Sequence, residues 1–181
     1  MKIGFDLDKV FIDYPPLVSP KLIDSLYKKK DNGTLLYRIP SKPEQVFRKL
    51  THLQILRAPI KHNVNVLKSI PKKKHKLYLI SSRFKFLEPE TQGVVKRLGL
   101  DDIFDGLYFN FENKQPHRFK NEVLKKLQLD MYIDDDLSLI KYVAKENEKT
   151  QFYWLDHTGK GISTNRKIKV ISQLSEVFPI K

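Results

Sequence analysis

The chain begins MKIGFDLDKVFID (residues 1–13), and the reading of its fold turns on how this run ends. Residues 1–7 make a short apolar strand that closes on two aspartates, Asp6 and Asp8. Ionised carboxylates are costly to desolvate unless a partner compensates them. Two residues apart on an extended strand, they lie on the same side and about 7 Å from one another. A single Asp-x-Asp also suits a solvated exit from a strand, so the rest of the chain must decide.

The same design recurs downstream. Leu77-Tyr78-Leu79-Ile80 stops at Ser81-Ser82-Arg83, Gly106-Leu107-Tyr108-Phe109 stops at Asn110, and Met131-Tyr132-Ile133 stops at Asp134-Asp135-Asp136. Phe152-Tyr153-Trp154-Leu155 gives a fifth strand. Short continuous apolar runs suit strands buried on both faces. Between them are helical patterns: Ile60, Val64, Leu67 and Ile70 after Pro59; residues 91–98 up to Gly99; Phe119, Val123, Leu124 and Leu127; residues 137–144; and residues 171–177. Alternating strands and helices predict an α/β fold, a Rossmann-like parallel sheet with helices on both faces and ligands beyond the carboxyl ends of the strands.

Residues 14–58 break that rhythm. They offer no convincing buried strand, but a helix is expected from Ser19-Pro20 through Leu22, Ile23, Leu26 and Tyr27, then a turn at Asp31-Asn32-Gly33. Ser41-Lys42-Pro43-Glu44 fits a capping box ahead of Val46, Phe47 and Leu50. The expectation is a core made of residues 1–13 and 59–181, with residues 14–58 as a small helical cap inserted after the first strand.

With 181 residues the chain suffices for one core and a small insertion. It contains no cysteine, which excludes disulfides and thiolate chemistry and leaves oxygen or histidine to hold any metal. No apolar run is long enough to span a bilayer and the first residues do not resemble a secretory signal, so a soluble cytoplasmic protein is expected. The 34 basic and 21 acidic residues give a net charge of +13, which favours anionic partners. Lysine clusters such as residues 28–30 and 72–74 are dispersed along the chain, a pattern that suits solvated helix faces more than a dedicated nucleic-acid surface.

Acids at the ends of two different strands repel unless a cation lies between them, and an all-oxygen ligand set favours Mg²⁺. The same sheet edge offers the Ser81 hydroxyl and lysines close to the start of the helix at Phe119. In order along the chain, FDLDKV (5–10), LYLISSR (77–83), FKNEVLKKL (119–127) and MYIDDD (131–136) resemble the haloacid dehalogenase superfamily of aspartate-nucleophile phosphohydrolases, in a small-cap, nucleotidase-like form. A receiver domain gathers similar residues in a different order, with its acid pair first and its lysine last.

The resemblance implies that Asp6 is the nucleophile and Asp8 the general acid and base. It implies Mg²⁺ on Asp6, on the main-chain carbonyl of Asp8, and on Asp135 or Asp134, with Asp136 opening the next helix. Ser81 and Ser82 would bind phosphate, and Lys120, with Lys114 as its alternative, would neutralise charge there. Lys9 stands where the family commonly has glycine; it either restricts the turn or adds a cation beside the phosphate. Arg83 has two readings, as a contact to substrate or as a brace for its own loop. The five histidines show no ligand spacing, and His117 alone lies close enough in sequence to Lys120 to reach a substrate. The activity implied is hydrolysis of a small anionic phosphorylated metabolite or nucleotide. Its alternatives are a phosphotransferase or phosphomutase of the same fold, or a non-catalytic relative that binds nucleic acid through its basic surface.

Overall fold

A computed structural model of the protein describes residues 1–15, 28–31, 34–162 and 166–179. Its centre is β1 (Lys2–Phe5), flanked by β4 (Lys76–Ser81) and β6 (Met131–Asp134). With β5 (Gly106–Phe109), β7 (Gln151–Leu155) and β8 (Ile168–Ile171) they form a six-stranded sheet of order β5-β4-β1-β6-β7-β8. Every pairing in it is parallel. The chain runs outward from β1 to β4 and β5, then crosses back to β6 on the other side. Strand order therefore reverses at β1, and the carboxyl ends of β4, β1 and β6 border the crevice where such sheets bind ligands.

Side chains alternate across the sheet, and this alternation builds two cores. Ile3, Phe5, Leu77 and Leu79 face α2 (Lys61–Ser69) and α3 (Glu88–Arg97), meeting Val64, Leu67, Val94 and Val95. Ile80, Tyr132 and Phe152 face α4 (Pro116–Leu127) and α5 (Leu137–Glu146), meeting Phe119, Leu124, Ile140 and Val143. Gly4 lies on this second side, where an added Cβ would come within 2.5 Å of Leu129 and 2.9 Å of Tyr132. Only glycine fits so close an approach. Asp6 falls on the same side as Gly4, toward α4.

Two features differ from the sequence reading. Residues 171–177 are not a helix: Ile168–Ile171 is the sixth strand, and only the single turn Leu174–Glu176 follows it. Pairing with β7 satisfies backbone groups that β7 would otherwise expose at an edge, while Ile168 and Ile171 are buried. The insertion contains the expected helix, α1 (Lys42–Thr51), but also an antiparallel hairpin of β2 (Lys28–Asp31) and β3 (Thr34–Tyr37). The helix expected over residues 19–27 and the turn residues Asn32 and Gly33 lie outside the described residues.

The capping box of α1 forms, with the Glu44 carboxylate accepting from the Ser41 N–H at 2.7 Å. Its apolar stripe is not core, since Val46, Phe47 and Leu50 are all more than half exposed. No helix among the described residues is long and apolar enough to cross a membrane.

Candidate active site

The register of the sheet assembles the site. Phe5 is level with Leu79 on one side and with Ile133 on the other, so the next residue, Asp6, lies between the ends of β4 and β6. Its N–H donates to the Ile133 carbonyl at 2.9 Å, prolonging the ladder by one step. Asp134 ends β6, and Ser81 ends β4.

Lys120 enters from α4. Its ammonium donates to Asp6 Oδ1 at 2.8 Å and to Asp134 Oδ2 at 2.7 Å, while the side chain is only 2% exposed. Tyr132 Oη also donates to Asp134 Oδ2, at 2.8 Å, and the Asp136 N–H donates to Asp134 Oδ1 at 3.0 Å. Burial raises the Asp6 carboxyl to about 7; the Lys120 charge opposes this, and Asp134 and Asp8 add to it. Burial, together with the charges of Asp134 and Asp6, also pushes Asp135 well above the ordinary carboxylate range.

Asp8 lies in a different electrostatic setting. Arg83 grips its carboxylate with Nε and Nη2, each at 2.8 Å, and Arg57 Nη2 donates to the same Oδ1. Burial disfavours the ion, but Arg83 and then Arg57 overcome that cost and hold Asp8 far below the usual carboxylate range. Its side chain therefore points its hydrogen-bonding capacity at the guanidiniums.

The remaining expected residues separate clearly. Ser81 Oγ is buried with no protein partner, and both Ser81 and Ser82 line the cavity that the carboxylates border. Lys114 is outside: it pairs with Glu122 at 2.7 Å and with Glu112 at 3.3 Å. Lys9 adopts φ 57°, a left-handed conformation that favours glycine, and its ammonium pairs with Asp13 at 2.5 Å. The turn thus bears the strain of a side chain while the charge is spent on Asp13. His117 is buried under the insertion, its ring 6.1 Å from Tyr37 and 4.5 Å from Tyr142.

The cavity above these groups has a volume of about 470 Å³. Phe47, Arg48 and His52 of the insertion also line it. The insertion is tied to the core by Tyr37: its N–H donates to Gln115 Oε1 at 2.9 Å, Gln115 Nε2 donates to its carbonyl at 3.1 Å, and its hydroxyl donates to Asp136 at 2.8 Å. Asp136 also caps α5, accepting from the N–H groups of Ser138 and Leu139.

With this geometry in place, comparison with solved structures is decisive for the fold. A provisionally assigned β-phosphoglucomutase from Thermotoga maritima aligns over 98% of this chain and 96% of its own, with a TM-score of 0.62 at 18% identity. A haloacid dehalogenase-like hydrolase from Streptococcus pneumoniae aligns over 86% of this chain and 84% of its own, with a TM-score of 0.58 at 18% identity. This is the haloacid dehalogenase fold. A third haloacid dehalogenase family enzyme, from Bacteroides thetaiotaomicron, is an aspartate-to-alanine mutant in complex with magnesium and inorganic phosphate; it covers 82% of this chain and 91% of its own, with a TM-score of 0.53 at 13% identity. No protein-family model matches the sequence, and no curated protein matches it.

Three of the site's acids form a donor set that could hold a metal ion. Asp6, Asp134 and Asp135 each place a carboxylate oxygen within 4.8 Å of the others. Burial and the crowding of the acids raise Asp6 and Asp135, a repulsion that a cation would relieve, and hard oxygen donors suit Mg²⁺. The Trp154 indole N–H donates to the Asp135 carbonyl at 2.9 Å and fixes that residue's backbone. The sequence places Tyr132 and Trp154 only in apolar strand runs and gives no functional signal for Arg57 or Tyr37. Each acts through a contact with a residue distant in sequence or two positions along a strand.

Proposed function

We propose that the protein is a Mg²⁺-dependent phosphomonoester hydrolase that works through an aspartyl-phosphate on Asp6. The observation that carries this reading is the convergence of Asp6, Asp134 and Asp135 around one point, with Lys120 bonded to two of them. The Bacteroides thetaiotaomicron enzyme, which shares this fold and holds magnesium and inorganic phosphate, supports it. The bound cation would be held by Asp6, Asp134 and Asp135 and would supply charge neutralisation for an incoming phosphate.

An Asp6 carboxylate oxygen attacks phosphorus, the bond from phosphorus to the leaving oxygen breaks, and that oxygen takes a proton. Water then attacks the aspartyl-phosphate, the bond from phosphorus to Asp6 breaks, and phosphate departs with Asp6 regenerated. Asp8, two residues along the same side of the chain, is placed for these proton transfers. Held ionised by Arg83 and Arg57, it must first take up a proton from solvent as those partners loosen; it donates that proton to the leaving oxygen, and the carboxylate that remains accepts one from the attacking water. Ser81 Oγ offers an uncommitted hydroxyl to the phosphoryl oxygens, and Lys120 offsets the charge that gathers as they approach.

The cavity suits a small phosphorylated metabolite or a nucleotide. Hydrolysis of p-nitrophenyl phosphate with Mg²⁺, measured for wild type and Asp6→Asn, tests the reading. Turnover that needs Mg²⁺ and is lost in Asp6→Asn is expected; an unchanged rate in that variant refutes it.

A further inference from the structure

Two arginines converge on one carboxylate beside the candidate nucleophile. Arg57 precedes α2 and Arg83 follows β4, and both line the cavity together with Asp8. Their side chains are 2% and 4% exposed. A guanidinium remains charged in a protein and carries five N–H donors in a planar fork. Asp8 takes only Nε and Nη2 of Arg83 and Nη2 of Arg57. The Nε of Arg57 is buried with no acceptor, and Nη1 of Arg83 has a long contact of 3.4 Å with Thr91. The cluster thus keeps guanidinium donors that Asp8 does not use. A buried donor without an acceptor is unfavourable, and an oxoanion would supply acceptors for these.

We propose that Arg57 and Arg83 form a subsite for an oxoanion carried by the leaving portion of the substrate, so that the site selects phosphomonoesters whose alcohol bears its own carboxylate or phosphate. This deepens the phosphatase reading and rests on it. With the phosphorus at Asp6, the leaving oxygen lies toward Asp8, and a substituent a few bonds further reaches the guanidiniums that surround Asp8. Arginine suits the task because its fork matches carboxylate and phosphate oxygens in pairs.

The test uses binding without turnover. In the Asp6→Asn protein with Mg²⁺, calorimetry compares phosphoglycolate with ethyl phosphate, and adenosine 3′,5′-bisphosphate with adenosine 5′-monophosphate. The doubly anionic member of at least one pair should bind about tenfold tighter or more, as charge-assisted hydrogen bonds predict. The pair that discriminates identifies the second group as carboxylate or phosphate. Arg83→Gln or Arg57→Gln, added to Asp6→Asn and confirmed as folded by a cooperative melt, should bring that ratio close to one. Equal affinity within both pairs overturns the proposal, and so does a preference that survives loss of either arginine; the arginines would then only brace Asp8. Absence of hydrolysis by the wild type is a separate result that strikes the phosphatase reading, because binding is read without turnover.

Discussion

Replacing Lys120 with methionine keeps most of the volume of the stem and removes the one cation between Asp6 and Asp134. Both bonds are short, 2.8 and 2.7 Å, and the lysine is 2% exposed, so water cannot readily replace it. Breaking a buried ion pair by deleting one partner costs about 3–5 kcal/mol, because the other charge stays buried and uncompensated. At about 2–4 °C per kcal/mol for a chain of this size, the melting temperature should fall by roughly 6–20 °C.

The deficit should also depend on pH. Without the ammonium, Asp6 loses the charge that opposes its raised value and titrates higher still in the folded state. Folding then takes up a proton there, and stability rises as pH falls through the raised folded value. Urea unfolding in a metal chelator at about pH 7.5 and about pH 5 reads both effects, with the larger loss expected at the higher pH. A loss below about 1 kcal/mol at the higher pH, or a deficit that grows on acidification, refutes the claim that Lys120 holds the two acids together.

The same linkage applies to the wild type. Asp6 lies at about 7, above its ordinary 3.8, so the metal-free protein should lose stability as pH rises from about 4 to about 7. Mg²⁺ should counter this loss most strongly above about pH 7, where Asp6 has released the proton that competes with the cation; thermal melts with and without Mg²⁺ measure both trends. Tyr37→Phe removes the hydroxyl that ties the insertion to Asp136 and should cost about 1.5–3 kcal/mol in the same melts, with faster proteolysis within residues 28–58. Lys9→Gly relieves a left-handed residue, worth about 0.4–1 kcal/mol, and loses an ion pair of up to about 1 kcal/mol. Net stability should therefore change by less than about 1 kcal/mol, and the affinity for inorganic phosphate should be unaltered; a large fall in that affinity would place the Lys9 ammonium on the substrate.

What the sequence made legible is set by which forces act locally. Buried parallel strands are apolar from end to end and stop abruptly at polar residues, so Asp6, Ser81 and Asp134 stood out at strand ends before their neighbours were known. Asp6 and Asp134 are brought together by sheet register, and Lys120 joins them because α4 covers that face. The hairpin was hidden for the opposite reason: β2 is KKKD, with none of the apolar pattern that signals a strand. β8 was obscured because its short IKVI run adjoins residues 171–177, whose apolar spacing also fits a helix. Arg57 lies 49 residues from Asp8 and nothing beside it in the chain indicates a partner. Arg83, open in the sequence between a substrate contact and a loop brace, grips Asp8 with two nitrogens, and Lys9 pairs with Asp13.

The central claim is that Asp6 becomes phosphorylated during turnover. Rapid acid quench of the enzyme with Mg²⁺ and p-nitrophenyl phosphate, followed by peptide mass spectrometry, tests it directly. The account predicts a phosphoryl group on the peptide containing Asp6, absent when Asp6→Asn is treated in the same way. Phosphorylation mapped to a different residue, or turnover by Asp6→Asn at the wild-type rate, would contradict it.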